Sequence, residues 1–201
     1  MCRLIETIKL TPEGIHNLPL HNERCNRARR ALFGVRKDID LGEVIPLPRA
    51  PHSAPLMKCR IVYREKVEEV RLEPYRLPVI RSLKLVWNDD IDYAMKYEDR
   101  RIFDALLALR GYCDEVLIVR RGRLTDTSFS NIVLYDGERY VTPREPLLAG
   151  VKRQSLLNAG RVLPRDLAVK DLNRFTRLYC VNCMIDLENE VSVPIEAIVR
   201  E

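Results

Sequence analysis

Residues 140–157 read YVTPREPLLAGVKRQSLL, and this stretch decides the fold class. It takes over from SNIVLYDGERYVT (130–142), two short strands turning at Gly137, and runs into AGVKRQSLLNAG (149–160), a helix set between Gly150 and Gly160. Just upstream, EVLIVRRGRLTD (115–126) is another strand pair with a Gly turn. Before it, DRRIFDALLALR (99–110) carries apolar side chains at 102, 103, 106, 107 and 109, with Ala at 105 and 108. That is the stripe of an amphipathic helix, stopped by Gly111. Residues 165–170, 177–184 and 190–195 are further strand candidates. Helix and strand are therefore mixed along the second half.

The first half has its own pattern. Residues 2–10 predict a strand, Pro12 to Gly14 a turn, and Asn22 to Phe33 a helix closed by Gly34. LGEVIPLPRAPHSAP (41–55), with four prolines, predicts loop. MKCRIVYREKVEEVRL (57–72) alternates in two runs about Arg64–Lys66, as a hairpin does, and YRLPVIRSLKLVW (75–87) predicts another strand or two. The whole is an α+β protein of two lobes, 1–86 and 87–201, joined near residues 86–92.

Composition excludes several function classes. The chain has 201 residues, 46% hydrophobic and 31% charged, with a formal net charge of +5. That is ordinary globular composition, not that of a disordered or collagen-like chain. Basic residues are interleaved with acids, as in ERCNRARR (23–30) and REKVEEVRLE (64–73), so a solvated face is expected rather than a nucleic-acid face. No segment approaches the roughly 20 apolar residues that span a bilayer. Charges at positions 3, 6 and 9 break any apolar signal core, which predicts a cytoplasmic protein without a membrane partner.

Few residues suggest chemistry by spacing alone. Cys180 and Cys183 form the one close cysteine pair, which could be half a zinc site or a redox pair; no second CxxC or His pair completes it. TRLYCVNCMIDL (176–187) also reads as a strand, where residues three apart point to opposite faces, so structural thiols are expected. His16, His21 and His52 have no metal-ligand spacing. No nucleotide-type Gly-rich loop and no GxSxG elbow is present.

Four stretches in order resemble the class IV pyridoxal-phosphate (PLP) enzymes, the family of branched-chain and D-amino-acid aminotransferases and aminodeoxychorismate lyase. LIETIKL (4–10) with LPLHNERCNRARRALFG (18–34) is similar to the family's N-terminal strand and HxxR helix. DYAMKYEDR (92–100) looks like the segment bearing the Schiff-base lysine. GRLTDTSFSNIVL (122–134) is similar to the G-x-[VL]-x-E-x-x-x-x-N-[LI] strand pair, and YVTPREPLLAGVKRQSLL to the TP…LLxGxxR segment.

The resemblance implies a small α+β N-terminal lobe, a pseudo-barrel C-terminal lobe with PLP between them, a small-molecule amino substrate and a homodimer whose neighbouring subunit helps enclose the cleft. It assigns the cofactor amine to Lys96, which would move the proton at the substrate Cα. Arg100, four residues on, is the cation that could keep that amine neutral. Arg24 would meet the phosphate, with His21 supporting it. Gly150, Val151 and Lys152 would offer backbone amides at a helix start. Asp126 stands where the family has Glu as partner of the pyridine nitrogen, one methylene shorter, and Asn131 fixes the following turn. In YCVNCMIDL (179–187), Asn182 is similar to the Asn of the lyase branch, with Cys183 beside it. Glu6 and Thr7 match a strand lining the substrate side. Arg76, Arg81 and Lys84 are candidates for substrate carboxylates on charge alone, or solvated strand residues.

The chain is short for this family, with a trimmed first lobe. The expected activity is elimination of pyruvate from 4-amino-4-deoxychorismate to give 4-aminobenzoate. The alternatives are an aminotransferase of branched-chain or D-amino acids and a non-catalytic relative, the latter favoured by Asp126.

Overall fold

A computed structural model describes residues 2–46 and 56–200. The contacts divide the chain into two units: residues up to Arg76 together with Met95–Asp99, and Leu77–Ala94 together with the residues from Arg100 onward. The boundary thus departs from the expected 86/87 division in two places, at the strand Leu83–Trp87 and at Met95–Asp99.

The first unit is an antiparallel sheet carrying a helix. Strand β1 (Leu4–Thr11) turns into β2 (Gly14–Ile15); helices α1 (Leu18–Phe33) and α2 (Leu41–Val44) follow, then the hairpin β3 (Met57–Tyr63) and β4 (Val67–Pro74). The order is β2-β1-β3-β4, with Leu4 opposite Tyr63 and Leu10 opposite Met57. Alternation along β1 turns Leu4, Glu6, Ile8 and Leu10 inward, where Leu4, Ile8 and Leu10 join Cys25 and Ala28 of α1 and Cys59, Ile61 and Tyr63 of β3. Each fully buried aliphatic side chain here contributes about 1.5–3 kcal/mol.

Helix α1 starts four residues ahead of the expected Asn22, because Asn17 takes a left-handed turn (φ 53°) and Pro19 is tolerated in the first turn. It ends as expected at Gly34, φ 66°. Its basic run is not simply a solvated face: Arg29 is buried and donates to the carbonyls of Lys37 and Glu65. The expected loop at 41–55 opens with α2; residues 47–55, with His52, lie outside the described residues.

Met95–Asp99 belongs to this unit because it is laced to β1. Ile5 N donates to Lys96 O (2.9 Å), Glu98 N donates to Arg3 O (2.9 Å), and Arg60 ion-pairs with Glu98 at 2.8 Å.

The second unit is built on a mixed sheet. Its elements are β5 (Leu83–Trp87), α3 (Arg101–Leu107), β6 (Glu115–Arg120), β7 (Arg123–Thr127), β8 (Asn131–Tyr135), β9 (Tyr140–Pro143), α4 (Val151–Asn158), β10 (Leu163–Arg165), β11 (Arg177–Val181), β12 (Ser192–Pro194) and β13 (Ile198–Val199). The order is β10-β9-β8-β7-β6-β5-β13, with β11 alongside β8 and β12 on β11. Strand β5, expected in the first lobe, lies here because it pairs in parallel with both β6 and β13. The expectation of a second strand in 75–82 fails, and so does the strand expected at 165–170: β10 ends at Arg165 and a 3-10 turn begins at Val169. β6 reads EVLIVR and is buried on both faces up to Arg120, as befits an interior strand set between parallel β5 and antiparallel β7. Helix α3 buries only Phe103 and Leu106 of its stripe; Ile102 and, in the following 3-10 turn, Leu109 stay exposed. No helix among the described residues is long and apolar enough to cross a membrane.

Candidate active site

In the first unit the inward row of β1 places a carboxylate among apolar neighbours. Glu6 is fully buried and meets two side chains three apart on one face of α1. His21 Nδ1 lies 2.6 Å from Glu6 Oε2, while Arg24 donates from Nε to Oε1 (2.8 Å) and from Nη2 to Oε2 (2.5 Å). Burial pushes the Glu6 carboxyl up, but the Arg24 charge and the bonds from His21 and Arg24 outweigh it and hold the group at about 2. Burial pushes His21 down against the pull of Glu6, and the charge of Lys96 adds to the push. The neutral imidazole therefore donates from Nδ1 to the carboxylate, which leaves Nε2 a buried lone pair without a hydrogen-bond partner.

This arrangement corrects two expectations. Glu6 does not line an open surface of β1: it is sealed from solvent and spends its charge on Arg24 and His21 of this unit. Nor does His21 support Arg24 directly: both grip Glu6, and the carboxylate aligns the guanidinium. Thr7, half-buried, projects from the opposite face of β1, so it does not share a surface with Glu6. Lys96 is half-buried, its carbonyl tied to Ile5 of β1.

In the second unit a second buried carboxylate ties three segments together. Asp126, near the end of β7, accepts from Asn131 Nδ2 (2.9 Å) and from Leu148 N (3.0 Å). Asn131 Nδ2 also donates to Leu148 O (2.8 Å), so it braces the 146–150 loop as well as the turn. Burial pushes the Asp126 carboxyl up to about 6, opposed by those bonds and by the Arg153 charge.

Gly150 stands at the amino end of α4 with an ordinary φ of −70°. Its need for glycine is steric, since a Cβ there would overlap Asn131 Oδ1. No side chain caps this helix start, so its first amides are open to an acceptor. Lys152 ion-pairs with Asp186, which leaves only its backbone for the expected role. Asn182 Oδ1 accepts from Met184 N (2.8 Å) and its Nδ2 donates to Phe129 O (3.3 Å); Cys183 is half-buried beside it, and Cys180 is buried.

Two residues of this unit escape sequence reasoning. Arg153 is buried and donates to Pro143 O (2.6 Å) and Thr142 Oγ1 (3.2 Å), fastening α4 to β9. Its place in the TP…LLxGxxR stretch is the available signal. Glu115 is buried and accepts from Ser128 Oγ at 2.7 Å, a pairing across thirteen residues that no spacing announces. Arg100 donates to Ser128 O and lies over the Phe103 ring, 4.7 Å from its centroid. Arg76 and Arg81 are exposed and Lys84 is half-buried.

A family profile described as amino-transferase class IV matches residues 95–187. An uncharacterized Haemophilus influenzae protein is 34% identical over 186 residues, covering 92% of this chain and 98% of its own. A crystal structure from Haemophilus somnus, provisionally named a 4-amino-4-deoxychorismate lyase, is 30% identical with a TM-score of 0.85, covering 92% of this chain and 97% of that one. An aminotransferase from Brucella abortus, solved with PLP bound, shares the fold at 17% identity, with a TM-score of 0.71 over 98% of this chain and 81% of that one. The α+β chain described above belongs to the class IV aminotransferase family.

Proposed function

We propose that this protein is a PLP-dependent lyase that eliminates pyruvate from 4-amino-4-deoxychorismate and leaves 4-aminobenzoate. The observation that carries the cofactor reading is the knot around Asn131. One side chain ties a buried carboxylate, Asp126, to the uncapped, glycine-led start of α4. A carboxylate and open amides are what a pyridinium and a phosphate require. The first unit supports the same reading with the half-buried Lys96, the Glu6-aligned Arg24 and the unpartnered Nε2 of His21.

When bound, PLP supplies an aldehyde that captures a primary amine and a ring that draws electron density from the neighbouring carbon. Lys96 Nζ is the amine for that aldehyde and moves the proton at the amine-bearing carbon of the substrate. Asp126 would hold the proton at the ring nitrogen through a lone pair that its bonds from Asn131 and Leu148 leave, while Arg24 and the amides of Val151 and Lys152 would bind phosphate. Asn182 and Cys183 border that phosphate region in this reading, and Arg81 is left with no role beyond its charge.

The lyase branch is supported by the provisional name of the Haemophilus somnus structure, at 30% identity over nearly both chains, and by Asn182. We also propose a homodimer, for which the exposed Val79, Trp87, Leu109 and Tyr112 offer apolar surface; sedimentation would test it. The functional test is an assay of the PLP-loaded protein with 4-amino-4-deoxychorismate, following pyruvate and 4-aminobenzoate together. Equal release of both supports the lyase. Amino transfer from branched-chain or D-amino acids without pyruvate release would replace it with an aminotransferase, and cofactor binding without turnover would leave a non-catalytic relative.

A further inference from the structure

The tight turn joining β6 to β7 reads Arg120-Arg121-Gly122-Arg123, with Arg120 paired to Arg123. Both central residues have positive φ, 52° at Arg121 and 73° at Gly122. Glycine adopts this conformation freely, whereas a long side chain does so at a cost and Asn or Asp is the usual alternative. An arginine is therefore held where the backbone does not favour one. The turn is fixed in place, since the Arg121 amide donates to Asp89 Oδ1 at 2.6 Å.

This turn forms one wall of a cavity of about 240 Å3. The ends of β9 and β10 form the rest and bring Arg144 and Arg165 to it. Backbone bonds make the frame rigid: Leu124 N donates to Leu167 O and Arg144 N to Arg165 O, each at 2.8 Å. Five arginines thus face two carboxylates, Glu145 and Asp166. Asp166 is shared between Arg123 and Arg144 at 3.6 Å from each, and all three side chains are more than half exposed. Such long, exposed pairs are weak and exchange readily for a better acceptor. Arg121 and Arg165 have no ion-pair partner among the described residues.

A neighbouring cavity of about 400 Å3 provides a contrast. It shares Arg165 and Asp166, but its lining balances three arginines with four carboxylates. The surplus of positive charge belongs to the smaller cavity alone. Its lining includes none of the residues proposed to hold the cofactor.

We propose that this arginine-lined cavity is a binding site for a small phosphate-bearing anion, separate from the cofactor's phosphate. Guanidinium forks match the geometry of phosphate oxygens and bind them in pairs. The volume lies below the roughly 300–1,000 Å3 of pockets that take drug-sized ligands, which limits the occupant to a compact anion such as a diphosphate or a small phosphate monoester.

Calorimetric titration of the full chain with inorganic pyrophosphate tests this. The protein is first reduced with borohydride in the presence of PLP and desalted, so that a bound cofactor fills its own phosphate site. The titration does not depend on that step succeeding, because the site is located by comparing variants. Wild type should bind one equivalent. Arg123→Ser with Arg144→Ser should weaken binding by about tenfold or more, since each charged hydrogen bond is worth about that factor. Arg121→Gly should weaken it severalfold without lowering the unfolding temperature, because glycine suits the turn. Arg139→Ser with Arg174→Ser, in the balanced cavity, should leave affinity within about twofold, as rim charges unlinked to the anion contribute little. Absence of binding to wild type, or equal loss in the two double variants, would overturn the site.

Discussion

Replacing Glu6 by Gln removes a charge that two buried side chains have been built around. The Glu6 carboxyl falls from its ordinary 4.5 to about 2 in the folded protein, which at about 1.4 kcal/mol per unit is about 3 kcal/mol of stability. Breaking a buried pair from one side costs about 3–5 kcal/mol by a second route, since Arg24 is left charged and uncompensated. The amide can accept from either His21 or Arg24 through its oxygen, but it turns an N–H toward the other donor. A loss of about 3 kcal/mol at pH 7 is therefore expected in urea unfolding.

The pH dependence identifies the cause of that loss. A carboxyl whose folded pKa is lowered contributes fully above its unfolded value and loses that contribution as pH falls to the folded one. The gap between wild type and Glu6→Gln should accordingly hold above pH 4.5 and narrow as the pH drops toward 2. A loss under about 1 kcal/mol at pH 7, or one that does not narrow in acid, would refute the buried-pair account.

Asp126→Asn should slow proton removal in a single-turnover assay of the PLP-loaded protein, since a neutral amide cannot hold a proton at the ring nitrogen. Its effect on stability has the opposite sign to that at Glu6. The folded pKa is raised, so ionisation costs stability as pH climbs from 3.8 to about 6, and the Asn variant should gain on wild type across that window in urea unfolding. Gly150→Ala should displace Asn131, lower stability by about 1–3 kcal/mol in the same assay and weaken PLP binding in a spectroscopic titration.

Much of the second unit is legible in the sequence because its punctuation is local. Gly122 and Gly137 mark hairpin turns, and Gly150 and Gly160 bound α4, so neighbouring residues suffice to place each element. β5 reads into the wrong sheet because LKLVW suits either, and its partners β6 and β13 come later in the chain. The start of α1 reads too late because Asn17 begins it by a left-handed turn rather than a side-chain cap.

The Glu6 cluster is half legible. Alternation in LIETIKL already puts a carboxylate in the inward row, and His21 and Arg24 share a helix face, but only the fold brings strand and helix together. The lacing of Met95–Asp99 to β1 spans some ninety residues, and local pattern carries no trace of it.

The cofactor chemistry rests most directly on Lys96. Incubating the protein with PLP, recording its visible spectrum before and after borohydride, and mapping the modified peptide by mass spectrometry tests it in one experiment. The expected result is a chromophore that borohydride bleaches and a phosphopyridoxyl group on Lys96, absent when Lys96→Ala is treated alike. A colourless protein, or a label on another lysine with Lys96 unmodified, would contradict it.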